Sequence, residues 1–345
     1  MSSQTLASPG GPPPGAPPPT AAARGRVLPF PITGQEIVLI AVIALLWVVL
    51  AFATPAFFTS GSVVPLLVAM APVATIGIGM TVIIITGGID VSVASIVMVC
   101  AVIVAKAMVD SGVSLPLAVL LSLALGAALG LINGVLIAYG RVHAIIITFG
   151  TANLFKFIGL QLFGGSTVNG IPNTLDVFGR GDAGRTLGVP HSFLVMLVLA
   201  ALAWYYLRHT PTGRHLYAIG NDADAARLAG VKVQRRVLSA YVLTGALTGL
   251  AACFVIAQGT ATLAPNVGAG MELAAIAAVV IGGTSIMGGR GSVLGTVLGA
   301  LLVQTVTSGV TQLGWRSQLA SLFIGIFILI AVGVDLLRQR TRRTA

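Results

Sequence analysis

Between Gln35 and Leu337 the chain is a succession of apolar runs, each about as long as a bilayer core is thick, separated by short polar or glycine-rich breaks. About 20 apolar residues in a helix cross the hydrocarbon layer, and a helix satisfies its own backbone polar groups there. The runs are apolar around their whole circumference rather than along one stripe, the pattern of buried or lipid-facing helices. Hydrophobic residues make up 56% of the chain and charged ones 8%, with a mean hydropathy of +1.01, which excludes a water-soluble domain of this length.

That length criterion predicts an all-α integral membrane protein of about ten transmembrane helices: 35–53, 62–86, 91–108, 115–138, 144–163, 190–208, 237–258, 272–286, 292–311 and 317–337. The eighth is short, and Met287-Gly-Gly-Arg-Gly291 separates it from the ninth with a composition that no continuous helix favours. With the amino terminus inside, fourteen Lys and Arg, Arg141, Arg214 and Arg227 among them, fall on the cytoplasmic side. Only Lys106, Arg180, Arg185 and Arg316 fall outside, so the positive-inside rule places both termini in the cytoplasm. The net charge of +10 is therefore read as topology; the aromatic and basic interleaving of a nucleic-acid groove is missing.

Residues 1–34 are rich in Pro, Gly and Ala and predict a disordered cytoplasmic tail, with a basic tail again at 338–345. A cleaved signal peptide is the competing reading of the amino-terminal region; the length of the apolar run from Ile37 favours an uncleaved first helix. Cys100 and Cys253 each lie within an apolar run and read as small hydrophobes. Two polar stretches exceed simple connections: 164–190, placed outside, and 209–236, placed in the cytoplasm. In the second, Asn221 is expected to cap a helix of about two turns, with Asp222 and Asp224 in its first turn and Gly230 at its C′ position. Leu228 and Val231 would give that helix an apolar side, and Arg227, Lys232, Arg235 and Arg236 a basic one.

Four blocks carry a family resemblance: GMTVIIITGGIDVSVASI at 79–96, GLINGVLIAYGRVHAIIITFGTAN at 130–153, TGRHLYAIGNDADAARLAGV at 212–231, and ELAAIAAVVIGGTSIMGGRGSVLGTVLGALL at 272–302. In this order they resemble the permease subunit of bacterial ABC importers for ribose and related sugars. The resemblance implies an inner-membrane homodimer, or a dimer with a sister permease, embedded in membrane lipid. It also implies an ABC ATPase subunit on the cytoplasmic side, and a periplasmic sugar-binding protein that delivers the solute. By the same analogy 213–232 is the ATPase-coupling element, with Gly213, Arg214, Asn221, Ala226, Arg227 and Gly230 matching the family pattern. The chain departs from that pattern at Ala94, His143, Ala144 and Ala274, which implies a divergent branch.

The residues agree on one point without analogy. A phosphate-binding loop needs GxxxxGK[ST], and none of Lys106, Lys156 and Lys232 follows a glycine, so ATP hydrolysis is expected on a separate polypeptide. No catalytic, metal or cofactor set is expected. Candidate groups for a translocation path are the neutral donors and acceptors Ser92, Ser95, Asn133, Thr148, Thr151, Asn153, Thr284 and Ser285. Lys156 is expected to face the bundle interior as a buried charge, either in an inter-helix ion pair or on the path. Glu272 reads as an acid in the first turn of the eighth helix. Asp90, in TGGIDVSVAS, is expected to cap the third helix at a re-entrant turn and hold a gate, with Arg290 as its partner. The alternatives are a branched-chain amino-acid ABC permease and an ion-coupled secondary transporter, the latter disfavoured by the scarcity of buried carboxylates.

Overall fold

The computed structural model describes residues 33–140, 142–179, 181–259 and 261–343, with side chains up to residue 333. The tail up to residue 32, and Arg141 and Arg180 of the charge pattern, lie outside the described residues. From Gly34 onward the chain forms one compact unit.

Ten long or apolar helices stand where the apolar runs predict them. They are α1 (Gly34–Ala53), α2 (Ser60–Ile85), α3 (Val93–Ser111), α4 (Leu115–Gly140), α5 (Ala144–Phe163), α6 (His191–His209), α9 (Val233–Gln258), α10 (Met271–Ile281), α11 (Val293–Gln312) and α12 (Gln318–Arg343). Two further helices, α7 (Pro211–Asn221) and α8 (Ala223–Leu228), fill the stretch between α6 and α9. Eight helices are long and apolar enough to cross a membrane; α10, with 11 residues, and the apolar part of α12 are shorter.

Small residues set how closely the helices pack. On α4 and α9, a Cβ added at Gly126, Gly130 or Gly245 would collide with the backbone of the facing helix, and Ser122 Oγ donates to the Gly249 carbonyl at 2.6 Å. Lipid gives helices no hydrophobic reason to associate, so close backbone approach and inter-helix hydrogen bonds carry the association. α2 and α9 form the buried centre, whereas α1, α4, α5 and α6 turn large apolar side chains outward.

The predicted polar connection 164–190 is structured. Its strand β1 (Val168–Asn169) pairs antiparallel with β4 (Thr262–Leu263), and β2 (Arg185–Thr186) pairs with β3 (Val189–Pro190). Leu175 is buried, and Phe178 meets Phe254 of α9 edge-on at 5.2 Å between ring centroids.

At the opposite end of the bundle lie the carboxyl ends of α2 and α10, the amino ends of α1 and α11, and the α7–α8 pair. Ser292 Oγ, the N-cap of α11, donates to Glu36 Oε1 of α1 at 2.5 Å. A small cavity there is lined by Gln35, Gly283 and Met287 together with Ala331 and Val332 of α12, so the first and last helices border one space.

Candidate functional site

The local sequence of α7 explains its start. Thr210 Oγ1 accepts from Gly213 N at 3.0 Å, and Pro211 occupies the first helical position, where its missing N–H is not needed. Gly213 lies directly against the last turn of α6, where a Cβ would strike the Tyr206 and Leu207 backbone. Leu216 and Ile219 are buried beneath the helix, and Arg214 is exposed above it.

Asn221 does not cap a helix, as the sequence predicts, but ends one. Its Nδ2 donates to the Tyr217 carbonyl at 2.9 Å and its side chain lies over Gly289. The cap of α8 is Asp222, whose Oδ1 accepts from Asp224 N and Ala225 N at 2.9 Å each. Asp222 is extended at φ −162°, so one residue breaks the helix and starts the next. The α8 end agrees with expectation: Gly230 has φ +86°, Gly230 N donates to the Arg227 carbonyl, and Val231 N donates to the Ala226 carbonyl. That is the paired hydrogen-bond pattern of a Schellman end, which needs a left-handed residue at C′. Ala226 and Val231 are buried, while Arg227 and Leu228 point outward, Leu228 at 90% exposure.

Both glycine-rich breaks lie under α7. Gly289 N donates to the Ile85 carbonyl at 2.9 Å, joining the α10–α11 turn to the end of α2. A Cβ at Gly220 would collide with both Ile85 O and Gly289 N, so the α7 backbone rests on the two atoms of that bond. Tyr217 Oη donates to the Gly291 carbonyl at 3.0 Å. Burial pushes the Tyr217 phenol above its ordinary range, against a smaller opposing effect of Arg208. Thr284 and Ser285 flank the same turn, which Ser285 N closes on the Arg290 carbonyl at 3.1 Å.

The other break holds a buried polar node. Asp90 is fully buried, and its Oδ1 accepts from Ser92 N at 2.8 Å and from Ser92 Oγ at 2.6 Å. Asn133 Nδ2 of α4 donates to Ser92 Oγ at 2.7 Å, and Thr148 Oγ1 of α5 donates to the Ile89 carbonyl at 3.2 Å. Thus the turn after α2 is tied to α4 and α5. Thr151 Oγ1 bonds the Thr148 carbonyl, and Ser95 is buried in the first turn of α3. Of the eight candidate path residues only Asn153 is exposed, its Nδ2 donating to the Phe149 carbonyl at 2.8 Å.

Three further expectations are corrected. Asp90 does not cap α3, whose N-cap is Ser92; it accepts from Ser92 in the turn ahead of that helix. Arg290 is exposed while Asp90 is fully buried, and among the described residues no ion pair joins them; Ser92 and the adjacent amide satisfy Oδ1 instead. Lys156 does not face the bundle interior: the face of α5 that packs against α3 carries Thr148, Thr151, Phe155, Gly159 and Phe163, and Lys156 lies outside it, exposed. Gly220, Tyr217 and Glu36 escaped the sequence reading. The Thr210-Pro211 start signal and the buried spacing of Leu216 and Ile219 do announce α7; no local signal announces what Gly220 touches.

A bundle of apolar helices with two glycine-interrupted segments, both seated under the α7–α8 insert, is the architecture of a multi-spanning membrane protein. The profile described as branched-chain amino acid transport system / permease component matches residues 62–332, and the chain belongs to that family. It is 38% identical over 304 residues to the ribose import permease protein RbsC of Escherichia coli (strain K12), covering 88% of this chain and 92% of the relative. The Bacillus subtilis (strain 168) ribose import permease protein RbsC is 38% identical over 293 residues, 84% of this chain and 89% of its own. The fructose import permease protein FrcC of Rhizobium meliloti is 35% identical over 288 residues, covering 81% and 79%. No solved structure matches. The chain is a multi-pass permease of the bacterial inner membrane.

Proposed function

We propose that this chain is the transmembrane subunit of an ABC importer that passes a monosaccharide, ribose or a related sugar, into the cytoplasm. Ten helices would span the membrane with both termini cytoplasmic. A separate ATPase would dock on α7–α8, and a periplasmic binding protein would deliver the sugar. The observation that carries the reading is the seat of Gly220 on the Ile85–Gly289 hydrogen bond. Force applied to α7 would pass by direct backbone contact to the end of α2 and to the turn between α10 and α11, the kind of connection that alternating access requires of a coupling element. The exposed Arg214, Arg227 and Leu228 would meet the ATPase, while Gly213, Ala226 and Gly230 shape the insert. Asp90 would hold the hinge near the gate through Ser92 and Asn133.

The test is reconstitution with a candidate ATPase subunit and sugar-binding protein. Sugar uptake that requires ATP supports the reading; uptake that persists without ATP and collapses with the proton gradient sinks it. The family description favours one other solute class, branched-chain amino acids. Leucine uptake in place of ribose uptake by the same vesicles would establish that alternative.

A further inference from the structure

The Asp90 carboxylate has no countercharge. It is fully buried, and Ser92 takes up Oδ1. Among the described residues Oδ2 has no hydrogen-bond partner, and no Lys, Arg or His pairs with the group. A carboxylate taken out of water is costly unless it is paired and hydrogen-bonded, and in a membrane protein such groups have a partner.

Two more buried oxygens around the same turn are also unpartnered among the described residues. One is Asn133 Oδ1, on a side chain joined to the carboxylate through Ser92 Oγ. The other is Tyr241 Oη of α9. A Cβ at Gly88, two residues before Asp90, would stand 2.7 Å from that hydroxyl, and the phenol interacts electrostatically with Asp90. Asp90, Asn133 and Tyr241 are each 0% exposed.

An ionised carboxylate oxygen and an amide oxygen only accept, and the single phenol proton serves at most one of them. A water molecule bridging these atoms would leave the negative charge in place. An alkali cation takes all three oxygens as ligands and cancels the charge. Hard cations choose oxygen ligands, and a single carboxylate among neutral oxygens suits a monovalent ion better than calcium. Breaks in membrane helices are places where such ions are coordinated. Access exists as well: a cavity of about 750 Å³ is lined by Gly87, Gly88 and Tyr241. It extends to the exposed His143 and to Arg227, whose charge is balanced by Asp224.

We infer that the turn between α2 and α3 holds one sodium or potassium ion, ligated by Asp90 Oδ2, Asn133 Oδ1 and Tyr241 Oη, with water from the cavity completing its shell. The ion ties α4 and α9 to the turn. It is resident rather than carried, so the inference stands independently of the solute and of the importer reading.

Thermal unfolding of the full-length permease in lipid nanodiscs tests the site, with sodium, potassium and choline chlorides compared at equal ionic strength. At least one alkali salt is expected to raise the wild-type melting temperature by about 3 °C and to saturate, the scale for an ion at about ten times its dissociation constant. Asp90→Asn removes the charge and with it the need for the ion; it should keep the fold and lose the dependence. Tyr241→Phe removes one ligand and should raise the half-saturating ion concentration about fivefold. Radioactive sodium or rubidium should be retained by the wild type and not by Asp90→Asn. Equal melting temperatures in the three salts, or equal isotope retention by wild type and Asp90→Asn, overturns the inference. Should Asp90→Asn fail to fold, an unchanged half-saturating concentration in Tyr241→Phe overturns the site.

Discussion

Gly220 of α7 rests against the Ile85 carbonyl at the end of α2, at the point where that carbonyl accepts the amide of Gly289. No side chain fits between these three backbone segments. Gly220→Ala should force α7 away from both breaks, at a cost of about 1–3 kcal/mol for an overpacked contact. We expect a lowered melting temperature and uptake reduced at least about tenfold, with membrane insertion retained. Wild-type uptake by Gly220→Ala vesicles would show that α7 transmits nothing through this seat.

Arg227 pairs with Asp224 at 2.9 Å, but both side chains are largely solvent-exposed, so the pair adds little to stability. Arg227→Ala and Arg214→Ala should leave thermal unfolding nearly unchanged and still lower ATP-driven uptake. Equal uptake by both variants and wild type would remove these arginines from the coupling surface.

Asp90 uses one oxygen, Oδ1, for both contacts with Ser92. Asp90→Asn keeps that acceptor and should preserve expression and transport. Asp90→Ala leaves the Ser92 amide without its partner inside the bundle and should lose both, since an unsatisfied buried donor costs about 1–3 kcal/mol. Loss of transport in Asp90→Asn alone, with normal expression, would assign the negative charge a role beyond the turn.

Tyr217 ties α7 to the Gly291 carbonyl, and its phenol is raised by burial. A raised phenol holds its proton in the folded protein at a pH where the unfolded chain has begun to lose it. The folded state then binds more protons, so stability is fully present below about pH 10 and falls as pH rises toward the folded value. Wild-type melting temperature should decline across that alkaline window, and Tyr217→Phe should flatten the decline attributable to this group. A slope unchanged in Tyr217→Phe would assign the decline to other groups.

The helices were legible because a bilayer imposes a length and an apolar composition that any single run must meet by itself. Every apolar run became a helix within a few residues of its predicted ends, and α12 continues as helical backbone to Arg343. The Gly230 end of α8 was equally readable, because a left-handed C′ position is a local demand. Asn221 was misassigned because Asn and Asp in succession both suit an N-cap; what separates them is the upstream helix α7, whose last residue Asn221 is.

Orientation about a helix axis was not legible. α5 is apolar nearly all round, and nothing in its sequence says which side packs on α3, so Lys156 was placed inward although it faces out. Likewise the TGGID and MGGRG breaks are visible as interruptions, but their union through Ile85, Gly289 and Gly220 is not. Those atoms are brought together by helices far apart in the chain, and glycine contributes no side chain from which a partner can be read. Composition and run length by themselves determined a multi-helix membrane protein with two interrupted spans, because each depends on local physics alone. Only tertiary packing decided which backbones touch and which face of α5 stays open, because both depend on close contacts between segments that no local pattern encodes.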